Sequence, residues 1–312
     1  MCSKFIEFLI EEQLPTLIII VGPTAVGKTD LCVKLAQWLS CDIISCDSRQ
    51  FYKELSIGTA KPTLEEMQNV KHHFIDSHSV EVLYSAGDFE RDVEAFLESY
   101  FQQNNVVIMT GGSGLFVDAV VNGLDDMPEA PLELRAELMQ RLENGEKESM
   151  QNELKSLDAV AYQNIDIHNS QRLVRALEVC LSTSKPFSSF QKKGEKKHFY
   201  KIVKIGIERP REELYQRINL RVEAMFEQGL LDEVKGLREF KDKNALQTVG
   251  YREVFGFLEG EQDLPTTMDL IKRNTRRYAK RQLTWFKNKD SFEWFDAQSF
   301  EEIKEFISKE IS

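Results

Sequence analysis

The stretch IIIVGPTAVGKTD, residues Ile18–Asp30, decides the fold of this chain. An apolar run leads into a glycine loop with the pattern G-x-x-x-x-G-K-[ST], which is typical of phosphate binding. We call it the phosphate loop, and its residues are Gly22, Pro23, Thr24, Ala25, Val26, Gly27, Lys28 and Thr29. The glycines let backbone N–H groups converge on phosphate oxygens, the lysine adds a positive charge, and the threonine hydroxyl can hold Mg²⁺. The sequence therefore predicts a phosphate site with Thr29 as a metal ligand.

Short apolar runs separated by helical patterns predict the fold class. Four runs are expected to form buried parallel strands: Leu17–Val21, Asp42–Cys46, Val106–Thr110 and Tyr200–Ile207. Helical patterns fall between the first three, at Thr29–Leu39 and Asp88–Phe101. This alternation predicts an α/β fold, a doubly wound parallel sheet like that of P-loop NTPases.

The residue composition changes near Gly123. A long polar and helix-prone stretch without strand-like apolar runs begins there. A tract with Pro, Gly, Ser and a lysine cluster at 192–197 follows, and it is expected to be a mobile basic loop. We predict a catalytic core formed by residues 1–124 and 200–312. Residues 125–199 would then be an inserted all-helical domain.

Composition limits the class of protein. The net charge of −11 argues against a protein that coats nucleic acid non-specifically. The five cysteines form no CxxC pair, which favours reduced and mostly buried thiols. The amino-terminal sequence MCSKFIEFLIEEQLP carries acids where a targeting peptide would be basic, and no apolar run approaches the roughly 20 residues that span a membrane. We expect a soluble cytoplasmic protein.

A carboxylate stands in an unusual place for a phosphate loop of this kind. ATPases, GTPases and small-molecule kinases normally carry an acid for Mg²⁺ at the end of a further strand. The third apolar run ends in VVIMTGGSG without an acid, whereas the second ends at Asp47. Ligands of open α/β sheets bind at the carboxyl ends of the strands, so Asp47 is expected beside the phosphate loop. From the residues alone it is a metal ligand, a general base or a turn cap.

Eight motifs in order resemble the tRNA dimethylallyltransferases, also called tRNA isopentenyltransferases. They are GPTAVGKT, DSRQFYKELSIGTAKP, HHFID, YSAGDF, GGSGLF, SQRLVRALE, VGYRE and YAKRQLTWF, and they span about residues 16–290. The resemblance implies that the phosphate loop holds the diphosphate of dimethylallyl diphosphate. It also implies transfer of the dimethylallyl group to N6 of the adenosine 3′ of the anticodon, position 37, in tRNAs that read codons beginning with U.

The same resemblance implies roles in the reaction. Asp47 matches the family's proposed general base, which takes a proton from the weakly nucleophilic N6 amine. Lys28, Thr24 and Arg221 are implied as further catalytic residues that stabilise the leaving diphosphate, with Mg²⁺ as cofactor. Arg217 lies four residues before Arg221, on the same face of a predicted helix, and is expected to join them.

The resemblance also implies contacts with tRNA. The residues concerned are Asp47, Ser48, Arg49, Gln50, Ser113, Arg135, Gln171, Arg172, Leu173, Val174, Arg175 and Arg281. The helical insertion would clamp the anticodon stem, and a single chain is expected to act as a monomer. Family members usually have Thr and Tyr where this chain has Ser113 and Phe116, so one hydroxyl is lost. The segment Lys272–Lys289 has eight Lys or Arg residues, three aromatic residues and no acid, and it is interpreted as a phosphate-binding face. On this interpretation the face includes Tyr278 and Gln282.

Three other functions are weighed against this one. Adenylate isopentenyltransferases share the chemistry but act on free nucleotides, and they do not need the helical insertion. A small-molecule kinase with a phosphate loop would need the acid that is missing after the third strand. An RNA-binding protein that has lost catalysis would be expected to carry substitutions at Lys28, Thr29 or Asp47. This chain retains the residue type that the reaction needs at all three positions.

Overall fold

The computed structural model describes residues 14–191, 196–289 and 291–311. The chain divides into two compact units, residues 1–122 with 197–312, and residues 123–196. The bounds expected from the sequence for the helical insertion, 125 and 199, differ from these by two and three residues. The acidic amino terminus as far as residue 13 and the lysines at 192–193 lie outside the described residues.

The first unit, which we call the core unit, contains the strands. They are β1 (Thr16–Val21), β2 (Ile43–Ser45), β3 (His72–His73), β4 (Val106–Gly111), β5 (Lys201–Glu208) and β6 (Glu293–Asp296). Its helices are α1 (Lys28–Leu39), α2 (Leu64–Met67), α3 (Ala86–Tyr100), α4 (Gly114–Asn122), α9 (Arg211–Glu227), α10 (Leu230–Gly236), α11 (Tyr251–Leu258), α12 (Leu264–Lys289) and α13 (Phe300–Ile311). Short 3₁₀ turns lie at Arg238–Phe240 and Asn244–Leu246.

The six strands form one parallel sheet in the order β3-β2-β4-β1-β5-β6. β1 lies inside the sheet and every one of its residues is buried. Its side chains alternate between two apolar clusters, with Leu17, Ile19 and Val21 in one and Ile18 and Ile20 in the other. Both faces of the sheet are thus covered, which confirms the doubly wound α/β prediction.

The carboxyl ends of four neighbouring strands bring the predicted site together. Val21, the last residue of β1, pairs with Gly111 of β4 and with Gly206 of β5. Ser45, which ends β2, pairs with Thr110 of β4. The segments that follow these strands therefore meet at one edge of the sheet, where open α/β folds bind ligands. We call it the carboxyl edge.

The second unit, the helical unit, is described by itself. It contains α5 (Leu132–Glu143), α6 (Lys147–Leu157), α7 (Ala159–Asn164), α8 (Ser170–Thr183) and a 3₁₀ turn at Phe187–Phe190. These helices enclose a separate apolar cluster whose larger fully buried members include Leu138, Leu154, Leu173 and Leu177. No strand occurs in its described residues.

Two expectations from composition can be compared with the structure. Cys32, Cys41, Cys46 and Cys180 are free and buried, as expected for structural thiols. Of the helices that the structure describes, none combines the length and the apolar character that crossing a bilayer would need.

Candidate active site

The phosphate loop connects β1 to α1 in a conformation that needs its glycines. Gly27 has φ +109°, a region that favours glycine, and it precedes the first residue of α1. A Cβ on Gly22 would lie 2.6 Å from the carbonyl oxygen of Ile207 on the neighbouring strand. The loop is therefore held close to the sheet, with the amino terminus of α1 opening onto the site, and such a terminus favours bound anions.

Lys28 is folded onto its own loop. Its Nζ donates to the carbonyl oxygens of Gly22 at 2.8 Å and Pro23 at 2.9 Å. Burial lowers the pKa of Lys28 to about 8, and the charge of Arg221 acts in the same direction while Asp47 opposes it. The lysine is thus a cation whose charge is costly here unless an anion comes near it.

Three arginines contact the phosphate loop, two from α9 and one from the segment between β5 and α9. Arg217 Nε donates to the carbonyl oxygen of Ala25 at 2.8 Å. Arg221 makes long bonds to Thr24 Oγ1 at 3.4 Å and to the carbonyl oxygen of Ala60 at 3.5 Å. Burial lowers the pKa of Arg221, which remains charged because its ordinary value is so high.

Arg209 is the third of these arginines, and the sequence analysis missed it. Its Nε donates to the carbonyl oxygen of Val26 at 2.7 Å, and its guanidinium pairs with Glu213. The signal that points to it is positional, because Arg209 directly follows β5 at the carboxyl edge. Positive charge therefore reaches the loop from more residues than the motifs indicate.

Asp47 follows β2 at the same edge. Its Oδ1 accepts from the backbone N–H of Arg49 at 3.0 Å, so the turn-cap interpretation describes one oxygen of this carboxylate. Among the hydrogen bonds found in the described residues, none uses Oδ2. The Asp47 charge raises the pKa of Lys28 and of Arg221, against the lowering effect of burial, so the carboxylate favours the charged form of both cations.

The residues after Asp47 are engaged with the carboxyl edge. Ser113 Oγ accepts from the backbone N–H of Ser48 at 3.0 Å and lies 3.1 Å from its hydroxyl. Gln50 Nε2 donates to the carbonyl oxygens of Thr59 and Ala60 at 3.3 and 3.4 Å, and its Oε1 accepts from the Ser45 hydroxyl at 3.3 Å. The Gln50 amide, which was expected to contact tRNA, thus already has protein partners.

Two other residues adjoin this group. Arg49 reaches Asn244 at 3.3 Å, and burial lowers its pKa. Phe116 packs against Phe51 and Phe89, with ring centroids 5.5 Å apart in both pairs. Phe116 therefore has an apolar role that does not need the hydroxyl of the family's tyrosine.

The residues of the expected basic face lie on two different sides of α12, one exposed and one buried. Arg273, Arg277, Lys280 and Arg281 are exposed, in line with a surface that meets phosphate. Gln282 is 6% exposed and faces the phosphate loop, so its place on that face was wrong.

Tyr278 also turns toward the site from α12. Its phenol lies beside Ser113, and burial raises its pKa to about 12, with the Asp47 charge acting in the same direction. Tyr278 and Gln282 are four residues apart and share one side of the helix, a spacing that the basic composition of the segment concealed.

The helical unit holds the other residues expected to contact tRNA. Leu173 and Val174 are 0% exposed inside its apolar cluster, so a tRNA contact through their side chains was wrong. Arg135 bonds to Glu178 at 2.8 Å and to Gln171 at 3.0 Å, and Arg175 lies 3.5 Å from the same carboxylate. The two arginines thus share one buried carboxylate, which balances one of their two positive charges.

Arg172 on α8 is exposed, and it takes no part in the ion pairs that Arg135 and Arg175 form with Glu178. Its charge is accessible to a phosphate without loss of a packing contact.

The fit of Mg²⁺ rests on the donors at the carboxyl edge. The structure places no cluster of three or more His, Cys, Asp or Glu residues suited to a metal anywhere in its described ranges. Mg²⁺ is usually held by one or two protein oxygens together with substrate phosphates and water. The hydroxyl of the exposed Thr29 at the start of α1 meets that requirement with one protein oxygen, and Asp47 lies at the same edge.

Comparison with known proteins settles the family. A family profile described as IPP transferase matches residues 50–289. The chain is 47% identical to a tRNA dimethylallyltransferase of Flavobacterium johnsoniae over 286 residues, which cover 90% of this chain and 93% of the relative. This chain belongs to the IPP transferase family.

Solved structures of IPP transferases agree with this assignment. The tRNA isopentenylpyrophosphate transferase of Bacillus halodurans superposes with a TM-score of 0.71 and 37% identity, covering 95% of this chain and 97% of that one. A eukaryotic dimethylallyltransferase acting on tRNA gives a TM-score of 0.76 at 26% identity, covering 95% and 77% of the two chains.

Proposed function

We propose that this protein transfers the dimethylallyl group of dimethylallyl diphosphate to N6 of adenosine 37 in tRNA and releases diphosphate. The observation that carries the proposal is that Asp47 follows β2 at the carboxyl edge, where Lys28 and Arg221 contact the phosphate loop, in a chain of the IPP transferase family. A base and a cationic phosphate site at one edge suit an alkyl transfer from a diphosphate. We further propose tRNAs that read codons beginning with U as substrates, a monomer as the working form and the cytoplasm as its location.

The reaction needs a base for the amine proton and a cationic site for the leaving diphosphate. The N6 atom of the adenosine forms a bond to C1 of the dimethylallyl group as the bond from C1 to the diphosphate oxygen breaks. The amine proton passes to Asp47, and the electron pair of the broken bond leaves with diphosphate. A positioned general base typically contributes about 10²- to 10⁴-fold to the rate.

The leaving diphosphate gains charge as its bond to carbon breaks. Lys28, Arg217 and Arg221, with the amino terminus of α1, surround the place where that charge develops. Thr24 adds a hydroxyl next to Arg221. When Mg²⁺ is bound, held by Thr29 with Asp47 nearby, it would supply further neutralisation of the diphosphate oxygens. Groups fixed in this way stabilise developing charge without reorganisation during the reaction.

Binding of tRNA is proposed on both units. Exposed cations of α12, among them Arg281, would meet backbone phosphates, and Arg172 would do so on the helical unit. Asp47, Ser48, Arg49, Gln50 and Ser113 would surround the acceptor adenosine once it leaves the base stack. Arg135, Gln171 and Arg175 would support the tRNA contact of Arg172 within the helical unit.

The test compares the wild type with Asp47→Asn, using dimethylallyl diphosphate labelled in the prenyl group, Mg²⁺ and an anticodon stem-loop RNA. We expect label at N6 of adenosine 37 in the wild type. Transfer by Asp47→Asn should fall by about 10²- to 10⁴-fold while diphosphate binding persists. Asp232→Asn is the matched control, because Asp232 is an exposed carboxylate on α10 and should leave the rate unchanged.

Three further reactions separate the alternatives. A stem-loop with guanosine at position 37 should take no label. Transfer to free AMP in place of RNA would indicate an adenylate isopentenyltransferase. Turnover of ATP without prenyl transfer would refute the proposal in favour of a kinase.

A further inference from the structure

Gln282 connects the two loops that form the floor of the site. Its Oε1 accepts from the backbone N–H of Thr24 at 2.9 Å, and its Nε2 donates to the carbonyl oxygen of Gly112 at 2.9 Å. Thr24 belongs to the phosphate loop after β1, and Gly112 follows β4. The side chain is 6% exposed, so both bonds are largely protected from water, where an unpaired amide would be costly.

Gly112 has no side chain at the point where the Gln282 amide lies. A Cβ at position 112 would lie 2.2 Å from Gln282 Nε2, closer than atoms can approach. The backbone at Gly112 is not in the left-handed region, so space is the requirement that a side chain would violate. The missing side chain thus leaves room for the contact with Gln282.

Among the described residues, the other side-chain hydrogen bonds to the first half of the phosphate loop come from cations. Lys28 holds the carbonyl oxygens of Gly22 and Pro23, and Arg217 holds that of Ala25. Each of these cations is drawn toward a bound diphosphate, and turning to it weakens its hold on the loop. Gln282 is uncharged, and a neutral amide has much less attraction to the anion. Its hold on Thr24 therefore persists while the cations turn to the ligand.

We propose that Gln282 is a positioning residue for diphosphate, acting through the backbone of Thr24. By fixing Thr24 against the carboxyl edge, it keeps the loop in its binding conformation and the Thr24 hydroxyl beside Arg221. Preorganised groups of this kind bind developing charge without first reorganising. The inference rests on the proposed function only for the identity of the ligand, which is the diphosphate of the prenyl donor.

Two variants break the same link from opposite sides. Gln282→Met keeps the length of the side chain and removes both hydrogen bonds. Gly112→Ala leaves Gln282 in place but displaces its flexible end. We expect each variant to weaken binding of inorganic diphosphate with Mg²⁺, measured by calorimetry, about tenfold, the effect of losing one well-placed hydrogen bond. The double variant should be no weaker than the weaker single variant, because both changes break one connection.

Further readouts separate positioning from general damage. Amide hydrogen exchange at Thr24 should accelerate in both variants, the KM for dimethylallyl diphosphate should rise, and the KM for stem-loop RNA should stay within twofold. Gln228→Met, at an exposed glutamine at the carboxyl end of α9, is the matched control and should change none of these.

Two outcomes would overturn the inference. One is unchanged diphosphate affinity in both single variants. The other is an equal loss of diphosphate and RNA binding together with a lowered Tm, which a merely structural residue would give. If the wild type binds diphosphate but transfers no prenyl group to RNA, the proposed function fails, while the affinity and exchange measurements still decide the role of Gln282.

Discussion

Lys28 has two opposite pH dependences, because its pKa in the folded protein is about 8 and its ordinary value is 10.5. Between these values the unfolded chain binds more protons than the folded one, so the Lys28 contribution makes the folded state more stable as pH rises. Binding of diphosphate needs the charged lysine, and above pH 8 the lysine must first take up a proton. We therefore expect the affinity for dimethylallyl diphosphate to fall by up to about tenfold per pH unit above pH 8.

The measurement is a binding titration with dimethylallyl diphosphate between pH 7 and 9.5, with thermal unfolding recorded in parallel. Lys28→Arg is the control, since arginine keeps its charge throughout this range. The variant should lack the decline in affinity above pH 8. An identical decline in Lys28→Arg would show that another group is responsible.

Single residues also show where the sequence was sufficient. The spacing of glycines and lysine predicted the phosphate loop, and the end of an apolar run placed Asp47 beside it. Tyr278 and Gln282 lie in a segment so rich in Lys and Arg that its composition favours a solvated face. Only the packing of α12 against the carboxyl edge shows which side of that helix is buried.

At the scale of elements, the loop at 56–60 is held by one carboxylate from α10. Glu233 accepts from the backbone N–H groups of Ser56 at 3.0 Å, Ile57 at 2.7 Å and Gly58 at 2.9 Å. The hydroxyl of the buried Tyr251 also donates to it, at 2.6 Å. The loop then presents backbone carbonyls to Gln50 and Arg221, so the Glu233 contacts shape a wall of the site.

Glu233→Gln replaces one acceptor oxygen by a donor that faces N–H groups. We expect a loss of about 1–3 kcal/mol in the free energy of unfolding, measured with urea, from the unsatisfied donors. Hydrogen exchange at residues 56–58 should accelerate locally. Asp232→Asn, the neighbouring exposed acid, should affect neither quantity. Unchanged exchange at these amides in Glu233→Gln would contradict the role assigned to the carboxylate.

The elements that sequence patterns missed are short or lie at the edges of the sheet. β3 is only His72 and His73, and two polar residues carry no apolar periodicity. β6 has four residues, Glu293–Asp296, within a segment dominated by helix-prone residues. Both strands are formed by pairing with a neighbour that is distant in sequence, which a local pattern does not record.

At the scale of the whole molecule, the net negative charge of the chain opposes binding of RNA, whose phosphates are also negative. The net charge is −11, so attraction to phosphate comes from local cations, and α12 concentrates them on its exposed side. Lys272, Arg276, Lys287 and Lys289 of the same helix contact Glu223, Asn219, Glu208 and Asp118, respectively, which leaves fewer cations for RNA than the sequence counts. Binding should therefore be selective and sensitive to salt.

The helical unit has a core of its own, so damage to it should leave the phosphate site intact. Leu173→Ala removes a fully buried side chain from that core and should cost about 2–5 kcal/mol of the unit's stability. Proteolysis within 123–196 should become faster and binding of stem-loop RNA should weaken. The affinity for diphosphate, which we propose that the core unit binds, should not change.

Leu181→Ala is the matched control for this prediction, because Leu181 lies on the same helix and is 37% exposed. Its effects on proteolysis and on RNA binding should both be small. If Leu173→Ala weakened diphosphate binding as much as RNA binding, the two units would share their stability. The proposed division of labour, donor on the core unit and anticodon stem on the helical unit, would then fail. Selective loss of RNA binding would instead connect the buried leucine to tRNA through the fold of its unit and not through contact.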